Sequence, residues 1–473
     1  MKKITTLLII LTLPLLVLAY PAKQPKSTYK ITIQIDRSTD TMLLLGHYYA
    51  QNRLIIDTAY NNGRGKFVFE GSRDIYPGLY FFTNNNDRLT EFIIYKEKPF
   101  FTLHTDNYAW TMNMKVKGSQ QNEIYFSYQK QSEAIYQEID KMRPTMDSTV
   151  FAEYLRKQHL RIDSLKIAVM EQYPTSMFAK MMEAVKRIDE IVPVTHPDGT
   201  KLTDHERYTW YMQHYFDYIP VDDDFIIRTP KPVFYQHVVD YTDKYMRGMP
   251  PEDICPLLDS LLDRAEPANQ VFRWLLHHLT EKYLQSNVMV YDEVYVHLVQ
   301  RYFATGKAPW YPPSTIDEQV ERANKWERLL VGREAPELIL FDTLRHAHSL
   351  HHMRSRYTLL VFWSPTCGHC REIIPELYRT FDRLTDSVDL TAFTILTEPD
   401  DATIVKWKKF LADHHMTNPR WLNLSGAEAN VDWREVYDIT TTPQVYLIDN
   451  SDHKFIAKKL NASLLEQICK QLK

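Results

Sequence analysis

Two cysteines three residues apart, Cys367 and Cys370, constrain this chain more than any other feature. They follow an apolar run over 358–363 that reads as a buried strand, and from Gly368 onward the pattern reads as a helix. Further on come a strand over 390–396, a helix over 402–415, a short strand near 421–424 and a helix near 431–437. Strands over 445–448 and 454–458 and a last helix over 463–472 complete the series. Strands alternating with helices, then a hairpin, predict an α/β sheet with one antiparallel part. A cysteine at the end of a strand and the start of a helix meets unsatisfied N–H groups carrying about half a positive charge, which favour thiolate over thiol. Cys367 is therefore the expected nucleophile. Cys370, one turn deeper, is expected to resolve a mixed disulfide while itself shielded from attack.

The stretch Phe362-Trp363-Ser364-Pro365-Thr366-Cys367-Gly368-His369-Cys370, followed by Pro375, resembles the active site of the TlpA/ResA-like thiol-disulfide oxidoreductases of the thioredoxin superfamily. Val331-Gly332-Arg333-Glu334-Ala335-Pro336 is similar to that family's opening segment, and Thr441-Thr442-Pro443-Gln444-Val445-Tyr446-Leu447-Ile448-Asp449 to its cis-proline strand. The resemblance covers 331–473 and implies a thioredoxin-like fold with a redox-active disulfide between Cys367 and Cys370, the helix over 402–415 being the subfamily's insertion. It implies that Pro443 holds the substrate backbone, with Thr442 and Trp363 also substrate-binding; only at X-Pro bonds is the cis form cheap enough to be common. Gly368-His369 is the dipeptide of protein disulfide isomerase, where the His tunes the thiolate, and Arg371 pushes the same way. Two departures stand out. The family's buried Glu three residues after the second cysteine is replaced by Ile373, and plain thioredoxin's buried Asp six residues before the first by Val361. Glu372, Glu398 or water are the substitutes left to move a proton at Cys370.

The implied activity is disulfide exchange with protein thiols and disulfides, with no diffusible cofactor, recycled by a membrane electron donor or another thioredoxin-like protein. A thiol peroxidase of the AhpC/TSA type is the alternative within the fold, disfavoured because Cys367 lacks a P-x-x-x-T-x-x-C pattern. A binding protein with a vestigial redox module is the alternative outside enzymes, supported by the missing relay acids.

With 473 residues the chain has room for two to four domains. Lys2 and Lys3 precede an apolar run over 4–18 and then Val17-Leu18-Ala19, so 1–19 reads as a cleaved signal peptide and the product as periplasmic. An uncleaved membrane anchor is the alternative, though the run is short of the roughly 20 residues that span a bilayer and Pro14 interrupts it. Short β-rich runs over 29–118, with the turn Asn61-Asn62-Gly63 as a hairpin, predict an antiparallel β-sandwich. That segment resembles a β-domain found ahead of thioredoxin modules in Gram-negative envelope proteins. From 122 to 330 the apolar period becomes helical and a central all-α domain is expected, giving a multidomain chain with the α/β module at 331–473.

Other clusters read as structural. Lys and Arg number 56 against 60 Asp and Glu, with no long basic run, which excludes the electrostatic footprint of a nucleic-acid binder. A zinc site needs a second cysteine pair that is absent, so no metal is expected. Arg345 to His352 holds four of the 18 histidines and reads as a surface entry to the module, and Asp222-Asp223-Asp224 as a solvated turn. Cys255 and Cys469 read as packing positions, with a bridge between them left open.

Overall fold

The computed structural model describes residues 27–84, 88–185 and 191–472. The signal peptide expected over 1–19 lies outside them. The chain divides into two compact units, one running up to Val185 and including Ile227–Phe234, the other comprising Lys186–Ile226 and Tyr235–Lys473.

The first unit opens with β1 (Tyr29–Asp36), β2 (Met42–Tyr49), β3 (Asn52–Tyr60), β4 (Lys66–Gly71), β5 (Gly78–Thr83), β6 (Leu89–Ile94), β7 (Phe100–Asp106) and β8 (Lys115–Lys117). They form two four-stranded sheets, ordered β4-β1-β7-β8 and β3-β2-β5-β6. In β1 the period of two buries Tyr29, Ile31, Ile33 and Ile35. Phe92 of one sheet meets Phe101 of the other edge-on, with ring centroids 5.8 Å apart. The expected purely antiparallel arrangement is corrected at one pair: β1 runs parallel to β7. Strands this far apart in sequence are not joined by a hairpin, so nothing local fixes their direction. The turn at Asn61 also differs from expectation. It carries the chain from β3 in one sheet to β4 in the other, with Gly63 at φ +83° and the Asn61 side-chain oxygen accepting from the N–H groups of Gly63 and Gly65 (both 2.9 Å).

Among the described residues this unit also holds the helices α1 (Gln120–Met142), α2 (Ser148–Gln172) and α3 (Met177–Ala184). Ser119 caps α1, and the fully buried Asn122 side chain pairs with both backbone groups of Ile93, accepting at 2.7 Å and donating at 2.8 Å. The helical block expected over 122–330 is therefore divided. Its later members, α4 (Asp204–His214), α5 (Tyr235–Val239), α6 (Pro251–Ala265), α7 (Asn269–Leu284), α8 (Asp292–Leu298) and α9 (Pro313–Arg328), cluster with the C-terminal module. Asp224 is more than a solvated turn, since its carboxylate accepts from the N–H groups of Gln270 and Val271 at the start of α7.

The C-terminal module contains β9 (Ile339–Asp342), β10 (Ala347–Ser349), β11 (Tyr357–Trp363), α10 (Gly368–Leu384), β12 (Leu390–Leu396), α11 (Asp401–Asp413) and β13 (Trp421–Ala429). It ends with α12 (Trp433–Val436), β14 (Gln444–Asp449), β15 (Lys454–Lys458) and α13 (Ala462–Gln471). One seven-stranded sheet, ordered β10-β9-β13-β12-β11-β14-β15, holds the module, with β11, β12 and β13 parallel and β14 antiparallel to β11. Strand β11 lies inside the sheet and is covered on both faces. Leu359, Val361 and Trp363 share a core with Ile374, Leu377 and Phe381 of α10, whereas Leu360 and Phe362 face Trp433 and Tyr437. That double burial explains an apolar run without alternation. At the far edge Lys458 and Lys459, at the end of β15, meet the buried carboxylate of Asp292 at the start of α8.

Candidate active site

The loop between β11 and α10 delivers Cys367 to the N-cap of the helix, in extended backbone, with its Sγ accepting from the Cys370 N–H at 3.5 Å. Its thiol donates to the Thr442 carbonyl at 3.3 Å, and the Thr442–Pro443 bond is cis. Thus the helix start and the loop before β14 converge on one sulfur. Burial pushes the Cys367 thiol up. Hydrogen bonding to the Thr442 side chain, to the N–H of Cys370 and its thiol, and to the N–H of His369 more than offsets this, so it ionises below the ordinary thiol value. Cys370 is fully buried, and burial pushes its thiol up to about 12 against a smaller downward pull from the Ser364 backbone. One sulfur is half-buried and acidic, and the other is enclosed and holds its proton.

The remaining expected residues fall in different places. Gly368 opens α10, and a Cβ there would meet no atom within 4 Å, so no close approach demands glycine. His369 acts on Cys367 through its backbone N–H while its ring is exposed. Pro443 and Thr442 are half-buried beside Cys367. Trp363 is the correction: it is 0% exposed, its ring packed against Phe410 at 5.2 Å, so it supports the site from beneath and presents no surface to a substrate. The reason is strand parity, which turns Trp363 to the same core as Leu359 and Val361.

Of the relay candidates, Glu372 is exposed on α10, Ile373 is half-buried and Val361 is fully buried in β11. Glu398 lies just past β12, where its Oε2 accepts from the Ser364 hydroxyl at 2.8 Å and from the Thr366 hydroxyl. The Thr366 and Ser364 hydrogen bonds hold its carboxyl below the usual range, which makes it a poor base for Cys370. Ser364 and Thr366 were not anticipated as part of the site. Their signal in the sequence is the pair of hydroxyls flanking Pro365 immediately before Cys367.

Outside this centre, Cys469 is buried in the core under α10, and Cys255 is half-buried with its thiol pushed up to about 12 by burial and then by Asp259, Glu293 and Glu252. In the histidine-rich stretch, the Asp342 carboxylate pairs with His346 and His348, and His351 stacks on His453 at 4.3 Å. Among the described residues no group of three or more His, Cys, Asp or Glu is placed to hold a metal.

Residues 355–455 match the family described as thioredoxin-like. The C-terminal module is a thioredoxin-like domain. Ahead of it, 29–125 and 197–325 match DUF4369 and DUF5106, both described as domains of unknown function. Thiol-disulfide oxidoreductase YkuV of Bacillus subtilis strain 168 is 27% identical over 115 residues, which cover 23% of this chain and 78% of that protein. Among solved structures, a thioredoxin-like protein from Bacteroides caccae is 18% identical, covers 60% of this chain and 98% of its own, and has a TM-score of 0.48. A domain of a possible thiol-disulfide isomerase from Cytophaga hutchinsonii is 29% identical over 30% of this chain and 92% of its own, with a TM-score of 0.27. The thioredoxin-like domain is an oxidoreductase of the thiol-disulfide class.

Proposed function

We propose that this chain is a periplasmic enzyme that exchanges disulfides with protein substrates through Cys367 and Cys370. The observation that carries the reading is the asymmetry of the two sulfurs, an acidic half-buried Cys367 above a fully enclosed Cys370 held as a thiol. In the reductive direction the Cys367 thiolate attacks one sulfur of a substrate disulfide. A Cys367–substrate mixed disulfide forms, and the other substrate sulfur leaves as a thiolate that takes a proton from water. Cys370 then gives its proton to water, returning the one taken by the first substrate thiolate, and its own thiolate attacks the Cys367 sulfur. The Cys367–Cys370 disulfide forms and the second substrate thiolate departs, so two electrons have passed from the dithiol to the substrate. Thr442 and Pro443, beside Cys367, offer the backbone against which the substrate strand lies. A membrane or thioredoxin-like dithiol donor returns the electrons. The basic, apolar start of the sequence supports export, and no described helix is long and apolar enough to cross a membrane.

Trapping tests the reading. Cys370→Ser in the full chain is expected to accumulate mixed disulfides through Cys367 with envelope proteins, released by dithiothreitol, and Cys367→Ser to accumulate none. Equal capture by both variants, or by neither, overturns it.

A further inference from the structure

We propose that Glu398 is a positioning residue for the dithiol: its carboxylate ties down the Ser364–Thr366 stretch that presents Cys367 at the start of α10. The proposal rests on the dithiol being the reactive centre. Strands β11 and β12 pair in parallel with Trp363 opposite Leu396, and the ladder continues one residue further, where the Thr397 N–H (3.0 Å) and hydroxyl (3.2 Å) both donate to the Trp363 carbonyl. This sets Glu398 beside Ser364 at the carboxyl ends of the parallel strands, next to the N-terminus of α10.

One oxygen of Glu398 then accepts from the hydroxyls of both Ser364 and Thr366, which are themselves 2.7 Å apart. The Thr366 N–H donates to the Ser364 hydroxyl oxygen at 3.2 Å, and the Cys367 N–H to the Ser364 carbonyl at 3.2 Å. Ser364 is 2% exposed and is held from both ends of its own residue. Behind Glu398, Arg434 donates to the Thr397 carbonyl. The hydrogen bonds of Glu398 go to the loop hydroxyls and not to either sulfur. The Cys367 sulfur accepts from the Cys370 N–H at 3.5 Å, so its distance from the start of the helix is set by where the preceding loop holds it.

Positioning and plain charge have opposite signs here, which makes the role testable. A carboxylate acting only through its charge disfavours a nearby thiolate, so removing it makes Cys367 more acidic. A carboxylate acting by holding the loop has the reverse effect, because releasing the hydroxyls takes the sulfur away from the N–H groups that stabilise its anion. Full-length wild type, Glu398→Gln and Glu398→Ala are alkylated with iodoacetamide across a pH series, and Cys367 is followed by peptide mapping. Glu398→Ala is expected to move the Cys367 midpoint upward and to slow its alkylation at neutral pH by roughly three- to tenfold. Glu398→Gln, which keeps an acceptor oxygen, is expected to stay within about twofold of wild type. Midpoints that fall in both variants, or an unchanged Glu398→Ala, overturn the proposal. If Glu398→Ala fails to fold, Thr366→Val takes its place: it removes one of the two hydroxyls that Glu398 holds, positioning predicts the same upward midpoint shift, and a midpoint that is unchanged or falls overturns the proposal. A wild type whose Cys367 reacts no faster than an ordinary thiol removes the dithiol reading and this proposal together. A fast wild type with variants identical to it removes only the proposal.

Discussion

Asp292 and Lys458 meet at 2.6 Å with their side chains 2% and 7% exposed, and Lys459 takes the other Asp292 oxygen at 2.6 Å. A helix of the central segment is thus joined by a buried ion cluster to the end of β15, the neighbour of the strand that follows Pro443. Burial pushes the Lys458 ammonium down in spite of its partner. Removing one member of a buried pair costs more than the pair contributes, because it leaves a desolvated charge behind. Asp292→Ala is expected to lower the unfolding free energy of this unit by about 3–5 kcal/mol, read from urea denaturation of the full chain. A loss under about 1 kcal/mol would mean that the Leu329 and Ser286 carbonyls, which also accept from these lysines, are sufficient on their own.

The corrected position of Trp363 carries a stability prediction in place of a binding one. Trp363→Ala deletes a fully buried ring from the core shared by β11 and α10. The expected cost is about 3–5 kcal/mol in thermal or urea unfolding. Trp363→Phe, which keeps a ring against Phe410, is expected to retain mixed-disulfide formation at folded temperatures. If the Phe variant is stable yet forms no mixed disulfide, Trp363 meets the substrate after all.

Asn122 makes the corresponding link in the first unit. Its side chain satisfies the N–H and the carbonyl of Ile93, so Asn122→Ala strands two backbone groups with no solvent to take its place. Each costs about 1–3 kcal/mol, and Asn122→Ala is expected to destabilise this unit by about 2–6 kcal/mol, while Cys367 alkylation stays at the wild-type rate. Amide exchange at Ile93 is the direct check, since its protection must fall with the side chain.

What the sequence discloses depends on how locally each feature is encoded. The run at β11 is legible because burial on both faces leaves only apolar residues, and the cysteine at its end needs no partner to be read as a helix cap. Parity alone is enough to bury Trp363, since Leu359, Val361 and Trp363 alternate with Leu360 and Phe362. The parallel pairing of β1 with β7 has no such local mark. Asn61-Asn62-Gly63 announces a turn correctly but not which strands it joins. Helical periodicity over 122–330 shows which faces are buried and not what covers them, so the division of those helices between two units was hidden. Glu398 and its hydroxyl partners are 32 and 34 residues apart, and only the parallel ladder brings them together.

The enclosed sulfur makes a last prediction about alkaline pH. Cys370 ionises at about 12 in the fold against 9.0 for an unperturbed thiol. An acidic group whose value is raised by folding contributes its full stability below the unfolded value, where both states hold the proton. Above about pH 9 the unfolded chain releases it and the folded chain does not, so stability falls as pH rises toward 12, by at most about 1.4 kcal/mol per pH unit. Cys367 has the opposite sign, and its contribution grows until pH passes the 9.0 of an unperturbed thiol; it is present in wild type and Cys370→Ala alike. Buried tyrosines such as Tyr446, raised by burial, add a slope common to wild type and variant. Unfolding of reduced wild type and of Cys370→Ala is therefore compared between about pH 9 and 11. The wild-type curve is expected to fall more steeply by close to one proton, and parallel curves would show that Cys370 ionises in the fold as it does in water.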